Sequence, residues 1–182
     1  MRLLFKISLL MMLSVPSMVN AFTLISNDIE EGKPMAKAHE YTGFGCNGAN
    51  LSPHLSWTGI PKGTKSFAVT VYDPDAPTGS GWWHWQIINI PVDITELPPG
   101  AGSENRKNAI PKTVQIENDY GAPGFGGACP PAGDKPHRYQ FTVYALSVEK
   151  IDVQATASGA LVGYMIKSHS LASSSIESLY GR

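Results

Sequence analysis

Twice along this chain a proline-bounded cluster of aspartate, histidine and aromatic residues leads directly into a run of β-type residues. The first is Asp73-Pro74-Asp75-Ala76-Pro77 with Trp83-His84-Trp85, ahead of 85–90 (WQIINI). The second is Cys129-Pro130-Pro131 with His137-Arg138-Tyr139, at the head of 138–146 (RYQFTVYAL). Proline donates no ladder hydrogen bond and restricts the residue before it, so neither strand can extend through its cluster. The histidines therefore stand at the first positions of two strands and can converge at one rim of a sheet. Two imidazoles, two carboxylates and a guanidinium brought together there would make a small polar pocket.

Further strand candidates are 22–26 and 66–72 (SFAVTVY); the latter alternates at period two before stopping at Asp73-Pro74. A single helix is expected after Ser158, its cap, with Leu161, Tyr164, Met165 and His169 at helical spacing. The tail 174–180 reads as a returning edge strand. Eighteen glycines and fourteen prolines suit loop-rich β architecture better than a bundle. The layout predicts a mainly β fold of stacked antiparallel sheets with one late helix.

Arg2 and Lys6, an apolar stretch from Ile7 to Val15 and the small-residue exit Val19-Asn20-Ala21 read as a secretory signal, too short to span a bilayer. The expected organisation is a signal peptide over 1–21, cleaved near Ala21, and one domain over 22–182, periplasmic or secreted. The formal net charge of -1, without a long Lys/Arg cluster, excludes the footprint of a nucleic-acid binder. An even pair of cysteines, Cys46 and Cys129, points in an exported chain to one disulfide. Two buried thiols, or a reactive Cys129 beside Pro130, are the alternatives. No CxxC pair supports zinc or thioredoxin chemistry, and no cofactor is implied.

Within the first cluster, Asp73 ends a strand and is assigned to the pocket, with His84 as its partner; a carboxylate orients an imidazole and raises its pKa. Asp75 reads as a turn-builder. His39, His54 and His169 lack a matched proline-bounded setting and are assigned to structure.

Residues 73–90 (DPDAPTGSGWWHWQIINI) and 126–146 (GGACPPAGDKPHRYQFTVYAL) resemble the two signature blocks of the phosphatidylethanolamine-binding protein family. The stretches 43–59 (GFGCNGANLSPHLSWTG) and 158–171 (SGALVGYMIKSHSL) resemble its bacterial, Raf-kinase-inhibitor-like branch. The resemblance implies an antiparallel Greek-key β-sandwich with a small anion pocket at one end, taking phosphate-like anions or phosphorylated head groups. It implies pocket roles for Asp73, His84, Pro130, His137 and Tyr139, with Pro77 and Trp83 at the edge and Arg138 turned into the core. Members that restrain a kinase act in the cytosol, so a kinase partner does not carry over to an exported chain.

Three functions compete on these residues. The first is capture of a small anionic ligand, with imidazolium and Tyr139 as donors and affinity that weakens as pH rises through the histidine range. Membrane contact would be limited to a lipid head group. The second is an inhibitor gripping an unidentified protein partner through the pocket rim or the loop Gly79-Ser80-Gly81-Trp82-Trp83, an idea that a buried Trp82 would undercut. The third is a hydrolase using Asp73 with His84, or His137 alone, as base. No GxSxG nucleophile supports it, and a metal version on Asp73, His84 and His137 lacks close ligand spacing. A homodimer is compatible with such a fold, although no self-complementary patch is legible.

Overall fold

The computed structural model describes residues 21–103 and 110–182. The expected signal peptide thus lies, apart from Ala21, outside the described residues. The strands are β1 (Thr23–Ile25), β2 (Thr42–Gly43), β3 (Cys46–Asn47), β4 (Leu55–Thr58), β5 (Ser66–Asp73), β6 (Trp82–Pro91), β7 (Glu96–Leu97), β8 (Val114–Gln115), β9 (His137–Leu146) and β10 (Ser170–Tyr180). A 3-10 turn covers Lys37–His39, and α1 (Gly159–His169) is the one α-helix among the described residues.

Every ladder between these strands is antiparallel. The large sheet has the order β10-β9-β5-β6-β8, a second sheet runs β1-β4-β7, and β2-β3 form a small hairpin. Strand alternation gives the large sheet two apolar faces. Phe67, Val69, Val71, Phe141, Val143 and Ala145 share one core with Leu24, Leu55, Trp57 and Leu97 of the second sheet. Ala68, Ile88 and Leu146, on the other face, pack with Val162 and Ile166 of α1. Burying each such large side chain contributes about 1.5–3 kcal/mol.

Two irregularities in the β5–β6 ladder determine what each face presents. Phe67 pairs with Ile90 but Val69 with Ile87, so β6 bulges near Asn89, which adopts a φ of 61°. Asn89 is fixed there by its side-chain amide, which donates to Ile151 O at 3.2 Å and accepts from Ile151 N at 2.8 Å. At the other end Val71 pairs with Trp85 and Tyr72 with Trp83, leaving His84 as the extra residue.

The helix begins as expected, with Ser158 Oγ accepting from Leu161 N. Its packing face differs from the spacing first read. Gly159, Val162 and Ile166 are buried, whereas Leu161 and Tyr164 are 48% and 68% exposed. The cause is Trp83: a Cβ at Gly159 would fall 2.4 Å from its ring, so the contact face is built of small residues that an apolar count overlooks. The edge strand expected over 174–180 is present and starts earlier, at Ser170.

Candidate functional site

The core-facing side of the large sheet ends in a cavity of about 190 Å³. Asp73 of β5, Trp82 and His84 of β6, and His137 and Tyr139 of β9 form its inner wall. Pro77, Ala76 and Thr78 close one side, Pro130, Pro131 and Cys129 another, and Tyr120 and Phe44 the rim. Of the residues first assigned to a pocket, Asp73, Pro77, His84, Pro130, His137 and Tyr139 therefore stand together.

Trp83 does not line the cavity. Register explains why: Asp73 pairs with Trp82 and Tyr72 with Trp83, so Trp82 faces the cavity and Trp83 the helix side. There Trp83 packs on Tyr72, ring centroids 4.5 Å apart. The bulge at His84 then returns that imidazole to the cavity while Trp85 stays in the core.

The carboxylate–imidazole pairing also differs from expectation. Asp73 Oδ2 accepts from His137 Nδ1 at 2.8 Å, both side chains being almost wholly buried. Asp73 Oδ1 accepts from the backbone N–H groups of Asp75 (2.8 Å) and Ala76 (3.1 Å). The Asx turn is thus closed by Asp73, which also orients a histidine. Asp75 instead takes Arg138: Nε donates to Oδ2 at 2.8 Å and a second guanidinium N–H to Oδ1 at 2.9 Å. That fork holds the Asp75 carboxyl down to about 2. Arg138 is accordingly outside the core, its side chain 48% exposed, because it alternates with the inward His137 and Tyr139.

His84 lies 2.7 Å from Gly126 O and 3.1 Å from Gly127 O through Nδ1. Carbonyl oxygens only accept, so Nδ1 carries the proton and Nε2 of the neutral ring is an acceptor. Burial pushes the His84 pKa below its ordinary value, against the opposing pull of the Gly126 carbonyl and Asp73. An imidazolium at His84 is therefore disfavoured, contrary to the sequence-based picture of a charged donor. The donors lie elsewhere: Trp82 Nε1 and Tyr139 Oη are both buried without a hydrogen-bond partner among the described residues. Burial pushes the Tyr139 pKa upward, which keeps its proton in place.

The second cysteine-bearing loop is anchored twice. Cys46 and Cys129 are bridged, joining the Gly43-Phe44-Gly45 turn to the Pro130 loop. Arg182 adds hydrogen bonds from Nε to Pro130 O (2.6 Å) and from a terminal guanidinium nitrogen to Gly45 O (3.0 Å). Phe44, at φ 51°, remains 75% exposed on the rim. Tyr120 stacks on Tyr41 at 3.9 Å and meets the Trp82 ring edge-on at 5.2 Å. Trp82, Tyr120 and Phe44 are not among the pocket residues that the sequence predicts. Only strand register could have shown Trp82, and no local pattern marks Tyr120. His39 and His54 are buried among backbone partners, Leu51 O and Asn27 N, in line with structural roles.

A family model described as phosphatidylethanolamine-binding protein matches residues 25–181. The UPF0098 protein YbcL of Escherichia coli K12 is 56% identical over 160 residues, 88% of this chain and 87% of that protein. YbhB of the same organism is 52% identical, with 86% of this chain and 98% of that protein covered. A Mycobacterium tuberculosis protein named as a lipoprotein, LppC, is 38% identical over 105 residues, 58% of this chain and 48% of its own. The crystal structure of E. coli YbcL, described as a new member of the mammalian PEBP family, matches with a TM-score of 0.87 at 55% identity, covering 88% of this chain and 98% of that one. That of the homologue CT736 from Chlamydia trachomatis gives 0.74 at 30% identity, covering 90% and 99%.

Proposed function

The chain belongs to the phosphatidylethanolamine-binding protein family, and we propose that its cavity holds a small anionic group, phosphate or a phosphorylated head group. The observation that carries this reading is the pair of buried, unpartnered donors, Trp82 Nε1 and Tyr139 Oη, on residues that line the cavity. A buried donor without an acceptor costs about 1–3 kcal/mol, a cost that an oxyanion would remove. A cavity of about 190 Å³ is of the size of a phosphate or a phosphorylated head group.

The same lining gives a hydrolase little to work with, since the Cys129 sulfur is bonded to Cys46 and the Thr78 hydroxyl donates to Gly81 O. An inhibitor gripping a partner through the tryptophan loop is less favoured, because Trp82 and Trp83 are half-buried against Tyr120 and Tyr72. The disulfide suits an oxidising compartment, and the lipoprotein name of the mycobacterial relative points the same way; we place the protein in the exported compartment.

Calorimetric titration with phosphate and phosphoethanolamine tests the reading, using wild type and Tyr139→Phe. Wild type is expected to bind and Tyr139→Phe to bind at least about tenfold more weakly, the loss of roughly one hydrogen bond to a charged group. Absence of binding to wild type, or unchanged binding by Tyr139→Phe, would contradict it.

A further inference from the structure

We infer that the cavity selects a phosphoryl group that retains one proton, a monoanion bearing P–OH, and discriminates against sulfate and phosphodiesters. This rests on the anion reading above and specifies which anions the site accepts.

The inference follows from the hydrogen-bonding roles left open in the cavity. Trp82 Nε1 is a donor only, and Tyr139 Oη has a proton to give; both are buried without partners among the described residues. His84 is the reverse case. Its Nδ1 proton is committed to Gly126 O and Gly127 O, so Nε2 offers a lone pair and needs a proton from the ligand. The charged groups around His84 do not change that role. Asp73 from β5 is engaged at both oxygens, by His137 and by two backbone N–H groups. Asp119, in the segment after β8, accepts from Trp83 N at 2.6 Å. Tyr120 and Tyr139, whose rings meet His84 edge-on, stay neutral because burial raises both pKa values. Among the described residues, no lysine or arginine lines the cavity.

A dianion placed there would meet no lysine or arginine among the described lining residues, and His137 is already matched by the Asp73 carboxylate; its oxygen lone pairs would face that of His84 Nε2. A protonated phosphoryl group avoids this: P–OH donates to Nε2 while two other oxygens accept from Trp82 and Tyr139. Sites built to bond a particular hydrogen reject analogues lacking it by large factors. Sulfate and a dialkyl phosphate both lack that hydrogen.

The test is calorimetric titration of the wild-type protein with methyl phosphate, sulfate and dimethyl phosphate at pH 6 and pH 8. The second phosphoryl pKa lies near 6, so the P–OH form, and with it the methyl phosphate affinity, is expected to fall about 50-fold across that interval. Sulfate and dimethyl phosphate are expected to bind at least about tenfold more weakly than methyl phosphate at pH 6. His84→Phe, which keeps an aromatic ring and removes the acceptor, is expected to abolish the preference over sulfate. Sulfate binding as tightly as methyl phosphate at pH 6, or methyl phosphate affinity holding steady to pH 8, would overturn the selectivity and leave the anion reading standing. No binding by any of the three ligands at either pH would overturn both.

Discussion

Asp73 and His137 are each other's partners at the end of the large sheet, joined by a 2.8 Å hydrogen bond between side chains that are 4% and 3% exposed. Sixty-four residues apart in sequence, they are brought together by the direct pairing of β5 with β9. Because Asp73 also accepts two backbone N–H groups, it fixes both the turn that carries Pro77 and the orientation of the imidazole.

Removing one member of that pair should therefore be costly. Asp73→Ala is expected to destabilise the fold by about 3–5 kcal/mol, the usual range for breaking a buried charged pair. Urea unfolding provides the measurement. The Asp73→Ala/His137→Ala double variant should lose less than the sum of the two single losses. A loss under about 1 kcal/mol for Asp73→Ala would show that the pair does not hold the site.

His84 gives the protein a pH dependence of definite sign. Its folded pKa is lowered by burial from 6.5, so the unfolded chain binds the proton more readily. The stability from this group is complete above the unfolded value and is lost as pH falls through the lowered folded value. Denaturation midpoints between pH 7.5 and pH 5 should drop more steeply in wild type than in His84→Phe, the interval bracketing roughly the ordinary histidine range. Parallel curves would contradict the buried neutral imidazole.

The disulfide should matter twice. It closes a separation of 83 residues, a constraint worth about 4–5 kcal/mol on the chain-entropy model. It also holds the Phe44 turn against the Pro130 side of the cavity. The Cys46→Ala/Cys129→Ala variant should unfold at lower denaturant and bind phosphoethanolamine more weakly under conditions where it remains folded. Unchanged affinity in the folded variant would separate the bridge from the site.

Two helix glycines provide a matched contrast. A Cβ at Gly159 would lie 2.4 Å from Trp83 Cδ1, while one at Gly163 would lie 3.4 Å from the far edge of the same ring. Gly159→Ala should cost about 1–3 kcal/mol through overpacking. Gly163→Ala should be neutral or stabilise by up to about 1 kcal/mol through helix propensity. Equilibrium unfolding of both variants decides, and the reverse order would mean that Trp83 does not set the helix position.

The long strands were legible because β5, β6 and β9 carry alternating or β-branched residues and stop at proline or charge. The cavity membership of Asp73, His84, His137 and Tyr139 was legible for the same reason, since each sits at the end of a strand. The partners of Asp73 and Arg138 were not. Sequence proximity suggested Asp73 with His84, whereas the β5–β9 ladder supplies His137, and Arg138 turns outward to Asp75. The exchange of Trp82 for Trp83 depended on one bulged residue, which inverts the side chains of β6 from there to the second bulge near Asn89 without changing composition. Tyr120 reaches the rim from a loop bonded to β6 by Asp119 N to Trp83 O, a long-range contact with no local signature.

The most direct test of anion capture is the indole N–H resonance of Trp82, assigned by its loss in Trp82→Phe, during a phosphate titration at pH 6. The buried, unpartnered Nε1 is expected to move strongly downfield and to saturate with the same affinity that calorimetry reports. The Trp85 indole, already donating to Gln115 Oε1 at 2.6 Å, should stay nearly still. A Trp82 signal that does not respond while phosphate binds would place the anion outside this cavity and contradict the account.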